Sequence, residues 1–585
     1  MSAQELITDH LDLWTSAVTH KSGSGHSASG KNGKIELTGI KKLRELILEL
    51  AVRGKLAEQD PSDEPASELL DRIAEEKTRL VKEGKIKKSK GLKPIDEEDK
   101  PFFLPEGWSW VRLGETMEMY NGKAFKSSEW STSGLPIVRI QNLNDPHAPT
   151  NYFNGEINEN HRIDNGAFLI SWSGTPGTSF GAFIWERGPA ALNQHINKCV
   201  FFGDHLDPLF MKLAVNGQMS HFVQSAQGGV GLKHVTKSVL NNALIALPPF
   251  AEQCKIVEKV DELMALCDRL EQQVGDQLKA HEVLVDTLLD ALTRSSDAAE
   301  LVEHWARVAE HFDTLFTTET SIDKLKQTIL QLAVMGRLVE QNPNDEPAIV
   351  LLDKIFEGKS LPTISSGKDS KNKHSRASFE EVAFTIPESW SWTKVRDLVE
   401  PAREISYGII KLEKEPHTGG IPTLRCSDVK PRRIDTNAVR KVSPEIEEAY
   451  KRTRIRGGEV LLNIRGTLGG VGLATDEIKG YNIAREVAMI PVHRLISGRY
   501  IVNLIASPYF WDMIEENLKG IAYKGLNLKT LRDMPIPLPP EAEQYRINEK
   551  IEELMSLCDQ LKARLSKAGE TRSQLAEAVV DQAVS

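Results

Sequence analysis

The sequence predicts an α+β protein in which two mixed α/β domains are joined by two long antiparallel, coiled-coil-like helices, with an internal pseudo-twofold repeat. Three observations predict it. First, residues 40 to 73 align without gaps on residues 322 to 355, with 21 of 34 positions identical. Second, two helical stretches carry apolar residues at alternating steps of four and three, one starting near Ile256 and the other near Ile547. Third, the intervening stretches are rich in Gly, Asn and short β-branched runs, as strands and turns require. The repeat offset of about 280 to 290 residues far exceeds the roughly 20 to 50 of a solenoid, so a whole module is duplicated in tandem.

Each module reads as three parts. It begins with an amphipathic helix, marked by Leu43, Leu46, Ile47 and Leu50 in one copy and by Leu325, Ile329 and Leu332 in the other. Gly54 and Gly336 follow as stop signals. A polar linker of unlike sequence comes next. A globular segment then runs from a Trp-x-Trp (Trp108 and Trp110; Trp390 and Trp392) to a Leu-Pro-Pro. A helix of about 35 to 40 residues closes the module, roughly 55 Å long at 1.5 Å per residue. Its seam runs through Ile256, Val260, Leu263, Cys267, Leu270 and Val274, and again through Ile547, Ile551, Leu554, Cys558, Leu561 and Leu565. Cys267 and Cys558 read as small core residues. The expected organisation is an N-terminal extension with helix and linker (1–100), a first globular domain (101–249), a central spacer helix (250–293), a linker with the repeated helix (294–385), a second globular domain (386–540) and a C-terminal spacer helix (541–585).

Composition narrows the function classes. The 585 residues suggest about four structural units. Apolar residues with glycine make up about 47% of the chain, which is globular. No run of 18 apolar residues occurs, so no membrane span is expected. The start, MSAQELITDHLDLW, has no basic or apolar leader character, and a cytoplasmic location is expected. Five cysteines without C-x-x-C spacing argue against structural zinc and a disulfide core.

Charge separates the two globular segments. Residues 101–249 carry 10 bases and 11 acids, whereas residues 386–540 carry 24 and 19 on a chain of net charge -10. In the second, the bases bunch at Lys430, Arg432 and Arg433, at Arg440 and Lys441, at Lys451, Arg452, Arg454 and Arg456, and at Arg465. Such bunching suits a phosphate-facing surface, with an ordinary solvated face as the alternative. Arg139, Gln141 and Asn142 follow a strand-like Pro136–Val138, and Arg425 follows Pro422–Leu424. Arg pairs bidentately with guanine and Asn or Gln with adenine, so these types suit base reading, although a structural salt bridge is an equal alternative. Gly174-Thr175-Pro-Gly and Gly466-Thr467-Leu-Gly follow apolar runs and give turns whose backbone can approach a partner, although a plain tight turn explains them equally well. The DNA-contact candidates are Arg139, Gln141, Asn142 and Thr175 in the first segment, with Arg425, Arg432, Arg433, Arg465 and Thr467 in the second.

Catalytic patterns are missing. Gly25 to Lys31 has Walker A spacing, but Asn32 stands where magnesium needs Ser or Thr. Leu247-Pro-Pro-Phe250 imitates the tetrad that amino-methyltransferases use on a flipped base, but Leu cannot accept the amino hydrogen bonds. No G-x-S-x-G appears. His195 and His221 have no Glu at metal-ligand spacing. No catalytic, cofactor or metal residue is therefore assigned.

The duplicated LRELILELAVRGKL and LKQTILQLAVMGRL helices, the GWSW and SWSW segments, and both LPP-x-AEQ helix starts resemble the specificity subunit of type I restriction-modification enzymes, of the kind with a long N-terminal extension. The resemblance covers nearly the whole chain. It implies that the two variable segments are target-recognition domains and that the repeated helices set their spacing and bind partner subunits. It also implies a split double-stranded DNA target, with heads about one helical turn, 34 to 36 Å, apart. The implied partners are two methyltransferase subunits and restriction/translocase subunits, which would hold S-adenosylmethionine, ATP and magnesium. A stand-alone DNA methyltransferase or nuclease, or a protein-binding coiled-coil adaptor, are the rival readings.

Overall fold

A computed structural model describes residues 3–21, 34–87, 91–174, 180–217, 233–234, 236–357, 384–518 and 525–584. The chain divides into two units, one made of Met1–Val18, Leu37–Gly275 and Glu570–Ser585, the other of Thr19–Glu36 and Asp276–Gly569. Each mixes helix and sheet.

In the first unit the repeated helix spans Thr38–Val52 and buries Leu43, Leu46, Ile47 and Leu50, the residues its spacing marks. It ends in a left-handed glycine. Gly54 has φ +68, and the N–H of Lys55 returns to the carbonyl of Leu50 at 2.9 Å, closing orphan acceptors at the C-terminus. Two short helices, Ala3–Thr8 and Leu11–Ser16, precede it, and Trp14 is fully buried. Only glycine fits at position 39, where a Cβ would lie 2.3 Å from the carbonyl oxygen of Trp14.

The second unit repeats the device. Its helix spans Glu319–Val334 and buries Leu325, Ile329 and Leu332. Gly336 has φ +69, and the Arg337 N–H bonds the Leu332 carbonyl at 2.9 Å.

Two helices are much longer than the rest, Phe250–Arg294 with 45 residues and Glu541–Val584 with 44. Each spans about 66 Å. The first outruns the length its clearest seam suggests, because apolar residues past Val274, namely Val285, Leu289 and Leu292, are also buried. In the first unit Arg44 of the repeated helix donates to Asp268 at 2.6 Å and to Glu271 at 3.0 Å. On the same helix Thr38 meets Ser573 at 3.1 Å and Lys42 reaches Glu577 at 3.4 Å. In the second unit Lys326 pairs with Asp559, and Lys562 donates to Asp323 at 2.8 Å. Lys324 donates to Glu282 at 2.9 Å. Each repeated helix is thus clamped between segments of both long helices. Cys267 and Cys558 are buried, and desolvation pushes both thiols up. They pack as small apolar groups, as expected.

A short two-stranded neck closes each globular head. Ser109–Arg112 pairs antiparallel with Leu244–Leu247, and Ser391–Lys394 with Pro535–Leu538. Ser109 and Trp110 thus lie opposite Leu247 and Ala246, and Ser391 and Trp392 opposite Leu538 and Pro537, where each Leu begins the Leu-Pro-Pro. The AEQ that follows has a matching task in each copy. Gln253 donates to the Pro248 carbonyl at 3.1 Å and accepts from Asp207 N at 2.9 Å. Gln544 donates to the Pro539 carbonyl at 3.1 Å and accepts from Ser497 N at 2.8 Å. Each amide ties helix start to head.

The first head holds two four-stranded sheets. One has the spatial order Gly181–Trp185, Ala167–Ser171, Ile196–Phe201, Met117–Asn121; the other runs Asn151–Phe153, Leu135–Val138, Ala190–Leu192, Arg162–Ile163. The second head keeps this plan with a four-stranded sheet, a three-stranded sheet and a small hairpin. No helix among the described residues is long and apolar enough to cross a membrane.

Candidate nucleic-acid interface

Corresponding strands carry the leading candidates in both heads. Leu135–Val138 pairs in parallel with Ala190–Leu192, and Ile421–Leu424 in parallel with Asn482–Ile483. An arginine ends each. The backbone N–H of Arg139 donates to Asn142 Oδ1 at 3.0 Å, and that of Arg425 to Asp428 Oδ2 at 2.8 Å. A side chain three residues on thus fixes where each arginine leaves its sheet.

The candidates of the first head separate on this geometry. Arg139 lies with its guanidinium carbon 5.7 Å from the ring centre of Trp130, which is 43% exposed. The pair presents cation and aromatic face together, a combination suited to bases and phosphates. Gln141 donates to the Pro149 carbonyl at 2.9 Å from an exposed position. Asn142 is buried: its amide also donates to the Ala148 carbonyl at 3.3 Å and to Thr150 Oγ1 at 3.2 Å. Its hydrogen-bonding groups are engaged within the loop, which gives it the task of shaping that loop. Thr175 lies outside the described residues.

In the second head, Arg425 makes long contacts of 3.4 Å to both Asp428 oxygens and keeps about a third of its side chain exposed. Arg432 and Arg433 part company. Arg432 has φ +60, an uncommon conformation for a residue with a Cβ, and its guanidinium turns inward to Asn503 Oδ1 at 2.9 Å and Glu552 Oε1 at 2.6 Å. Desolvation pulls that guanidinium down despite Glu552. It tethers the head to the long helix within its unit. Arg433 is exposed, opposite Lys430 on the hairpin Val429–Lys430/Arg433–Ile434. Arg465 is half-buried and bridges the backbone of Gly525, while Thr467 is exposed, its carbonyl accepting from Asn463 at 3.1 Å.

Acids neutralise part of the basic bunch. Arg454 donates to Glu447 at 2.8 Å and to Glu448 at 3.2 Å, and Lys451 to Glu448 at 3.0 Å. The open cationic groups are therefore fewer than the sequence count suggests. Sequence reasoning did not single out Trp130, because an exposed tryptophan and a core tryptophan look alike in a sequence without strong periodicity.

Comparison with known proteins gives a consistent picture. The family model described as the type I restriction modification DNA specificity domain matches residues 105–280 and again 387–568. The chain is 37% identical to the type I restriction enzyme EcoEI specificity subunit of Escherichia coli and 35% identical to the EcoAI specificity subunit of the same organism, in each case over 100% of both chains. Among solved structures, the HsdS subunit from Thermoanaerobacter tengcongensis aligns with TM-score 0.40 at 17% identity, covering 83% of this chain and 98% of that one.

Proposed function

The chain belongs to the type I restriction-modification DNA specificity family, and from that premise we propose that it selects the DNA target of such a complex by reading two separated half-sites, one with each head. The observation that carries this reading is the double match: each matched segment opens at a Trp-x-Trp neck and runs into a long helix. The two necks share the Trp-to-Glu hydrogen bond and the Gln-to-Pro tie, whereas the loops beyond them differ. The first head offers Arg139 beside Trp130, the second Arg425, Arg433 and Thr467. Like mountings with unlike surfaces suit two independent sequence preferences.

The chain itself performs no chemistry in this reading. Methyl transfer from S-adenosylmethionine resides in two modification subunits, and ATP- and magnesium-dependent translocation and cleavage in the restriction subunits. The repeated and long helices dock those subunits and set the spacer between half-sites, and the complex works in the cytoplasm. Phosphate neutralisation is shared with the partners, which reconciles DNA binding with a net charge of -10.

Co-expression with a modification subunit encoded beside it, followed by genome-wide mapping of modified bases, tests the proposal. A bipartite motif with an unspecified spacer is expected. Methyl transfer by the isolated chain would favour the stand-alone enzyme, and binding to partners without any DNA preference the adaptor.

A further inference from the structure

The second head contains a cavity of about 410 Å³ whose wall includes Arg403, Arg452, Arg456, Arg532, Glu404 and Tyr407. Four guanidinium groups around one cavity would repel one another unless an anion entered or acids offset them. Arg403 is the buried member, its side chain 9% exposed. It forms ion pairs with Glu459 at 2.8 Å and Glu400 at 3.7 Å, and its Nη2 donates to Met489 Sδ at 3.5 Å.

The wall is built rather than incidental. Besides holding Arg403, Glu459 accepts the backbone N–H groups of Arg456 and Gly457, each at 2.8 Å. One buried carboxylate thus fixes both the inner arginine and the loop that carries an outer one. Arg532 is anchored by donating to the Ile405 carbonyl at 2.6 Å and lies 3.7 Å from the exposed Glu404. Arg452 and Arg456 are exposed and make no ion pair with any described residue. The four arginines against Glu459, Glu400 and Glu404 leave one net positive charge, and the two arginines at the mouth have no acid of their own among the described residues.

We propose that this cavity is a phosphate site that takes a DNA backbone phosphodiester, with Arg452 and Arg456 meeting it at the mouth and the guanidinium of Arg403 adding positive charge from the inner wall. The proposal rests on the reading of this head as a DNA-recognition domain and adds a sequence-independent grip to it. Guanidinium forks match phosphate oxygens bidentately, and such contacts position a protein on DNA without reading bases.

The double variant Arg452→Gln/Arg456→Gln, in the full chain assembled with its modification subunits, tests this in two arms. In the first, DNA affinity is measured against salt. The variant is expected to bind cognate and non-cognate DNA more weakly by a similar factor, with the slope of log K against log salt shallower by about 1 to 2 and the modified motif unchanged. An unchanged slope, or a changed motif, overturns the proposal. In the second, inorganic pyrophosphate is added to the isolated full chain, where it should raise the melting temperature of the wild type and not of the variant. No difference between the two proteins overturns the phosphate site itself. Protection lost with the salt slope intact assigns the cavity to a free polyphosphate, contrary to the proposal. A wild-type complex without any sequence preference defeats the functional reading instead, and the pyrophosphate arm still decides whether the cavity holds phosphate.

Discussion

The indole Nε1 of Trp108 donates to Oε2 of Glu252 across 2.9 Å in a buried contact, and Trp390 makes the same bond to Glu543 at the same distance. The residue that opens each head thereby grips the first turn of the helix that leaves it. The copies differ at the second carboxylate oxygen: Glu543 Oε1 accepts from Gln341 at 2.6 Å, whereas Glu252 Oε1 has no hydrogen-bond partner among the described residues. Burial pushes the Glu252 carboxyl up to about 6, against the lowering pull of the Trp108 donor and with Asp63 adding to the rise. Glu543 is raised for the same reason.

This makes the first neck pH-sensitive. With the folded value above the ordinary 4.5, the protonated carboxyl favours the fold, so its contribution is complete below that ordinary value and is lost as pH rises through about 6. Glu252→Gln keeps an acceptor for Trp108 and cannot ionise. Denaturant unfolding at several pH values should show the wild type losing stability relative to this variant over that window; parallel curves would remove Glu252 as the cause.

Gly54 tests the contact between repeated helix and neck. A Cβ there would sit 2.6 Å from Pro105 Cγ and 2.8 Å from Trp108 Cζ2, whereas at Gly84, with φ +72, it would meet nothing within 4 Å. Gly84→Ala should cost about 1 kcal/mol for its left-handed backbone alone. Gly54→Ala should cost at least about 2 kcal/mol more, from overpacking a filled site. Equal losses in thermal or denaturant unfolding would show that the neck yields. Gly336, against Pro387 and Trp390, should behave like Gly54.

Arg432 and Arg433 should separate stability from binding. Arg432→Ala takes the donor from the buried Asn503 Oδ1 and should destabilise the second unit by about 1 to 3 kcal/mol. Arg433→Ala should change stability by less than about 0.5 kcal/mol while weakening DNA binding. A reversed pattern in unfolding and DNA-affinity measurements would show that the hairpin faces the other way in the complex.

Arg425→Ala should weaken or relax recognition at one half-site by about 1 to 3 kcal/mol, leaving the other half-site untouched. Binding and methylation of a panel of half-site variants would report it. No change at any variant strikes Arg425 from the interface.

Much of this architecture was legible because it follows from periodicity. Spacing marked Leu43, Leu46, Ile47 and Leu50 as a buried face, Gly54 and Gly336 as helix stops, and Cys267 and Cys558 as core. The repeat was legible because both copies carry the same residues in the same order, and the structure supplies their reason: Trp108 needs Glu252, and Gln253 ties Pro248 to Asp207. The DNA-facing side was far less legible. Arg432 and Arg433 are chemically identical neighbours, and a single left-handed φ sends one inward. Asn142 has the composition of a base reader, yet its amide closes a loop through contacts with Arg139, Ala148 and Thr150. Such outcomes depend on backbone turns and on neighbours distant in sequence, which neither composition nor spacing encodes.

The central claim, that two heads read DNA independently, is tested most directly by replacing residues 101–249 with the corresponding segment of the EcoEI specificity subunit and mapping modified bases in cells that co-express the modification subunit. The account predicts a motif in which one half-site has changed while the other half-site and the spacer stay as they were. A motif altered in both halves, or in neither, would contradict it.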